Sequence, residues 1–156
     1  MTILAFVAAL LGAQAIALTA QALKPEAGYT DRFVVNERRR IHYLDWGSAE
    51  KRPFIMLHGI GRSAHSYDYI APHFQREYHV IAMDLRGHGD SDWHPAAAYL
   101  VEDYVKDLER LVEQLNLRGI VLTGSSTGGR VAQVYAGLHP ERVANGSRPC
   151  CRTSRS

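Results

Sequence analysis

Cysteine is nearly absent from this sequence. The two that occur, Cys150 and Cys151, are neighbours in the last seven residues. Adjacent cysteines bridge only with strain, and no cysteine or histidine spacing suits zinc. Neither a disulfide framework nor a metal site is therefore expected, and no cofactor is implied. An excess of one charge sign is missing too. Lys and Arg number 18 against 16 Asp and Glu, a net charge of +2, too mild to point to nucleic acid. The basic runs, Arg38–Arg40 and the arginines of the last nine residues, read as a solvated turn and tail. The remaining composition, 46% apolar and 22% charged, is that of a globular chain. A length of 156 residues fits one domain.

Charge is wholly absent from residues 1–23, where "ILAFVAALLGAQAIAL" (Ile3–Leu18) is almost entirely apolar. Three readings fit. A signal peptide would explain the stretch and the small-x-small "AQA" at Ala20–Ala22, although no Lys or Arg precedes the run. A membrane anchor needs about 20 apolar residues. A buried helix, or a start codon placed too far upstream, is the third. The first two place the protein outside the cell or on a membrane, the third in the cytoplasm. Residues 24–30, with "KPEAG", read as a linker.

From Asp31 to Ala144 the pattern is that of one domain. "DRFVVNERRRIHYLDWG" predicts two strands around a turn at Asn36–Glu37, the second with Ile41, Tyr43 and Asp45 on one face. "FIMLHG" (Phe54–Gly59), "YHVIAMD" (Tyr78–Asp84) and "GIVLTGS" (Gly119–Ser125) are apolar runs that end in glycine or polar residues. Helical stretches follow them. "SYDYIAPHF" (Ser66–Phe74) is interrupted by Pro72. "LVEDYVKDLERLVEQLNL" (Leu100–Leu117) repeats apolar residues at three- and four-residue steps. "GGRVAQVYAGLHPERV" (Gly128–Val143) should end as a helix near His139–Pro140. This alternation predicts an α/β fold, a mostly parallel sheet with helices on its faces. Parallel strands are buried on both sides, which explains unbroken apolar runs.

In such sheets functional residues gather at the carboxyl ends of strands. "TGSSTGG" (Thr123–Gly129) puts Ser126 between Gly124 and Gly128, after a predicted strand and before a predicted helix. That is the G-x-S-x-G elbow in its required context. It makes Ser126 a candidate nucleophile; the bland alternative is a glycine turn with Ser125 or Ser126 as a helix cap. "LHGIGRS" (Leu57–Ser63) would expose the Ile60 N–H as an oxyanion donor beside the Thr127 N–H. His58 reads as a loop-shaping residue rather than a base. In "MDLRGHGDSD" (Met83–Asp92), Asp84, Arg86 and His88 read as structural, satisfying loop amides and carbonyls.

Together, "LHGIG", "DLRGHGDSD" and "TGSSTGG", in this order, resemble the amino-terminal half of the α/β-hydrolase superfamily. The likeness spans Asp31 to Val143 and is greatest to the branch of small serine esterases, lipases, acyl hydrolases and carbon–carbon bond hydrolases. It implies Ser126 as nucleophile, Ile60 and Thr127 as amide donors, and a small ester or acyl compound as substrate. Serine at the elbow sets the chain apart from dehalogenases and epoxide hydrolases, which use aspartate there. Many relatives carry histidine where this chain has Ser125.

The family order is serine, acid, histidine. After Ser126 the sequence offers only Glu141 and His139. Thirteen helical residues separate Ser126 from His139, about 20 Å. His58 and His88 lie at strand ends on the correct side, but using either departs from the family arrangement. The tail 145–156, "NGSRPCCRTSRS", contains no leucine, isoleucine, valine or aromatic residue and reads as disordered. "NGS" at Asn145–Ser147 fits a glycosylation pattern too short to carry weight. This abrupt change predicts a truncated or frameshifted gene product of a hydrolase, lacking its acid and histidine. A non-catalytic fragment that binds a partner or a membrane is the rival expectation.

Overall fold

A computed structural model of the protein describes residues 28–144. The apolar amino-terminal segment 1–23, the first part of the linker and the tail 145–156 lie outside the described residues. Among those that are described, no helix is long and apolar enough to cross a membrane.

Five strands form one sheet: β1 (Thr30–Asn36), β2 (Arg39–Trp46), β3 (Arg52–Leu57), β4 (Tyr78–Met83) and β5 (Val121–Gly124), in the order β1-β2-β4-β3-β5. The sheet is mixed. β1 pairs with β2 and β2 with β4 antiparallel, while β4, β3 and β5 run parallel. The parallel half carries the helices and the glycine junctions.

The first hairpin turns at Glu37–Arg38, one residue later than the sequence predicts. Both turn residues have positive φ, 47° and 72°. A two-residue hairpin of that handedness normally takes Asn or Gly, so the usual signal is missing; an Arg39–Glu37 contact of 2.7 Å braces it. β2 does not alternate as predicted. Ile41 to Leu44 are all buried, because β2 is an interior strand covered on both faces. β1 is the edge. There the side-chain amide of Gln114 imitates a neighbouring strand: Val35 N–H donates to Gln114 Oε1 and Gln114 Nε2 donates to Val35 O, both at 3.1 Å. The clamp occupies edge groups that would otherwise recruit another strand.

Three α-helices follow: α1 (Ala71–Phe74), α2 (Val101–Gln114) and α3 (Thr127–Leu138). Pro72 does not break a helix; it sits in the first turn of α1, where no N–H is needed. A 3-10 turn at Ala64–Tyr67 precedes it. α2 buries Tyr104, Val105, Leu108, Leu111 and Val112, the stripe its periodicity predicts. That stripe packs with Val131 and Tyr135 of α3 on Ile55, Leu57, Ile81 and Met83 of the sheet. A smaller core on the other face joins Trp46, Met56 and Val80 to Ala64 and Ala71. Each large apolar side chain buried this way stabilises the fold by about 1.5–3 kcal/mol. Beyond α3 the chain returns beside β5, where Ile120 and Val143 form a parallel bridge.

Candidate active site

The sharp turn from β5 into α3 requires its glycines. A Cβ on Gly124 would run into the Gly128 backbone, and one on Gly128 into the carbonyls of Leu57 and His58. Strand β3, strand β5 and the first turn of α3 therefore meet with no room between them. Ser126 stands at the bend with φ 50° and ψ −115°. A non-glycine residue held there costs about 1–3 kcal/mol, a strain that surrounding structure must impose. Ser126 occupies the helix N-cap position, yet its side chain makes no capping hydrogen bond, and the residue is exposed. The Ser126 hydroxyl thus takes no part in capping the helix. Thr127 is the first helical residue, so its N–H has no partner within the helix.

The loop after β3 lies against this bend. A Cβ on Gly59 would stand 3.3 Å from both Ser125 O and Ser126 Cβ. His58 orders the loop from beneath. Its Nε2 accepts the Leu85 N–H at 3.0 Å. An amide can only donate, so the ring proton sits on Nδ1, which donates to Gly59 O at 2.8 Å. With Nε2 accepting, the ring is neutral, and burial lowers the His58 pKa from its ordinary value in the same sense. The Arg62 N–H adds a bond to the same Gly59 carbonyl at 3.2 Å. In a planar trans peptide the C=O and the following N–H point in opposite directions. Fixing Gly59 O therefore fixes the Ile60 N–H, which makes no backbone hydrogen bond among the described residues.

Asp84, Arg86 and His88 are structural, as their sequence context predicts. The buried Asp84 carboxylate accepts the amides of Ala64 at 2.6 Å and Asp90 at 3.0 Å, and faces His42 Nδ1 at 2.8 Å. Burial alone would raise its pKa; these bonds outweigh it and hold it below the usual carboxylate range. His42 is lowered by burial but raised more by its bonds to Asp84 and Asp31, and lies above the ordinary value. Arg86 grips buried Asp107 at 2.6 and 2.8 Å, and His88 Nδ1 lies 3.1 Å from Arg86 O. His42, Asp84 and Asp90 could by distance surround a cation, but the facing atoms of His42 and Asp84 already bond each other. Sequence reasoning missed His42 and Asp107, whose partners lie 42 and 21 residues away.

Neither downstream residue reaches Ser126. His139 caps the far end of α3, bonded to Glu109 at 2.8 Å, about 18 Å along a twelve-residue helix. A cavity of about 230 Å³ does adjoin the bend, lined by His58, Gly59, Arg62, Ser66, Tyr67 and Ser125. A larger one, about 530 Å³, opens at the opposite end of the sheet beside Arg52, Pro53 and His79. It touches no residue of the bend, so size alone misdirects here.

Comparison with known proteins agrees with this geometry. The model of the family described as "alpha/beta hydrolase fold" matches residues 52–146. The chain belongs to this family. Within it, the chain is 42% identical over 106 residues to a non-heme chloroperoxidase of Streptomyces lividans, covering 67% of this chain and 38% of that one. It is 33% identical over 99 residues to a serine hydrolase-like protein of Danio rerio, covering 63% and 30%. A crystal structure of a membrane phospholipase A described as a bacterial virulence factor superposes with a TM-score of 0.73 at 30% identity, over 90% of this chain and 46% of that one. The chain thus spans roughly a third of the length of these two curated relatives. The matched residues 52–146 include the loop after β3 and the bend at Ser126.

Proposed function

We propose that the protein is a hydrolase of ester or related acyl bonds, with Ser126 as nucleophile and the Ile60 and Thr127 amides as oxyanion donors. The observation that carries this reading is Ser126 itself: a strained, exposed serine at a helix N-terminus whose hydroxyl does not cap the helix. Ser126 Oγ bonds to the substrate carbonyl carbon, and the carbonyl electron pair moves onto oxygen between the two amides. The serine proton passes to a base and then to the departing alcohol. Water repeats the cycle on the acyl-serine and releases the acid. A helix N-terminus behind the site favours the developing negative charge.

Two of the candidate histidines are not placed to serve as that base. His58 has both ring nitrogens engaged, and His139 is a helix length away. Their placement favours a second reading, a non-catalytic fragment that binds a partner or a membrane. A fluorophosphonate probe separates the two. Labelling that Ser126→Ala abolishes supports the hydrolase, whereas folded protein that takes no label supports the fragment. From the uncharged segment 1–23 we also propose export or membrane anchoring, which cell fractionation tests; recovery only in the cytosol would contradict it.

A further inference from the structure

We infer that the cavity beside Ser126 selects substrates carrying a carboxylate near the scissile bond, and that Arg62 is the residue that selects them. This rests on the hydrolase reading above. Hydrogen-bonding capacity in the cavity decides the matter. Of its six lining residues, Tyr67 already donates its hydroxyl to Leu57 O at 2.8 Å. Burial pushes that phenol up to about 12, so it carries no charge. Neutral His58 spends one ring nitrogen on Leu85 and the other on Gly59. The Gly59 carbonyl accepts from His58 and Arg62, and the Ser125 carbonyl accepts from Gly128. What remains is the Arg62 guanidinium and the hydroxyls of Ser66 and Ser125. Arg62 makes no side-chain hydrogen bond or ion pair among the described residues. Guanidinium has only donors, and hydroxyls donate readily. Arg62, Ser66 and Ser125 are exposed, and a set of donors with one positive charge suits a carboxylate, which accepts at both oxygens and fits the planar fork of arginine.

The Arg62 backbone is tied to Gly59 O at 3.2 Å, the carbonyl whose peptide carries the Ile60 amide. Arg62 and the Ile60 amide thus share one loop, and that loop lies against the bend that carries Ser126. A hemiester of a dicarboxylic acid, or an ester of a hydroxy acid with a free carboxyl end, carries a carboxylate and a scissile carbonyl together.

The test is a titration of isotope-labelled full-length protein with isophthalate, followed by NMR at the Gly59 and Ser125 amides and the Arg62 Nε–H. Neutral isophthalamide is the control. Saturable shifts at these positions with isophthalate alone are expected. Arg62→Gln should weaken binding about tenfold or more, the effect of one charge-assisted bond, and Arg62→Lys should keep part of it. No shift, equal shifts with isophthalamide, or unaltered binding by Arg62→Gln would overturn the inference. Fluorophosphonate labelling reports the serine separately. Labelling without carboxylate binding removes Arg62 and leaves the hydrolase; carboxylate binding without labelling removes the nucleophile and leaves an anion site.

Discussion

The Nδ1–H of His58 holds the Gly59 carbonyl at 2.8 Å while Nε2 receives the Leu85 amide at 3.0 Å. A neutral ring thus ties the loop after β3 to the loop after β4, and sets the direction of the Ile60 N–H. His58 is a positioning residue. His58→Ala should slow phosphonylation of Ser126 by up to about 100-fold, the effect of losing one oxyanion donor. His58→Asn, with a side-chain amide able to donate to Gly59 O, should recover part of that rate. The labelling rate on protein shown to be folded by circular dichroism checks this; equal rates in all three proteins would show that the ring does nothing for the amide.

Gly128→Ala should destabilise the fold by about 1–3 kcal/mol or more, because the new Cβ meets two backbone carbonyls that cannot move aside. Gly61 makes the contrast. It has a φ of 71° but open space around it, so Gly61→Ala should cost only about 1–2 kcal/mol of backbone strain. Urea unfolding midpoints measure both.

Arg86→Met should cost about 3–5 kcal/mol, since it leaves Asp107 buried without its charged partner. The double variant Arg86→Met/Asp107→Leu should recover much of the loss, because no charge is then stranded. Asn36 also bonds Asp107 at 2.7 Å, so recovery should stop short of complete. Chemical denaturation of the three proteins decides it.

Stability should depend on pH through His42 and Asp84. His42 lies above its ordinary value, so its contribution is full below about pH 6.5 and is lost as pH rises through the raised value. Asp84 lies below its ordinary value, so its contribution is present above about pH 3.9 and is lost as pH falls through the depressed value. The advantage of wild type over His42→Gln should therefore be greatest between about pH 4 and 6.5. Unfolding free energies measured across pH 3–9 test this; an advantage that grows above pH 7 would contradict it.

What the sequence disclosed and what it hid follow one division. The elbow at Gly124–Gly128, the loop at His58–Gly61 and the stripe of α2 are local, set by residues a few positions apart, and all were legible. The structural character of Asp84 and Arg86 was legible as well, but not their partners. His42 and Asp107 are joined to them by folding alone, and neither has a flanking pattern that marks it. The Gln114 clamp on Val35 spans 79 residues and was invisible for the same reason. The turn at Glu37–Arg38 was misplaced because two long charged residues occupy a conformation that glycine or asparagine usually signals. β2 was read as half-exposed because strand order, which buries both its faces, is not written in any one strand.

The central claim is that Ser126 is a nucleophile rather than a serine in a helix turn. The most direct measurement is to expose the full-length protein to a fluorophosphonate, digest it with trypsin, and sequence the fragment from Gly119 to Arg130 by mass spectrometry. That fragment holds both Ser125 and Ser126. The account predicts the phosphonyl group on Ser126 Oγ, with Ser125 unmodified and no label in Ser126→Ala. A label on Ser125, or none on protein whose sheet is intact, would contradict it.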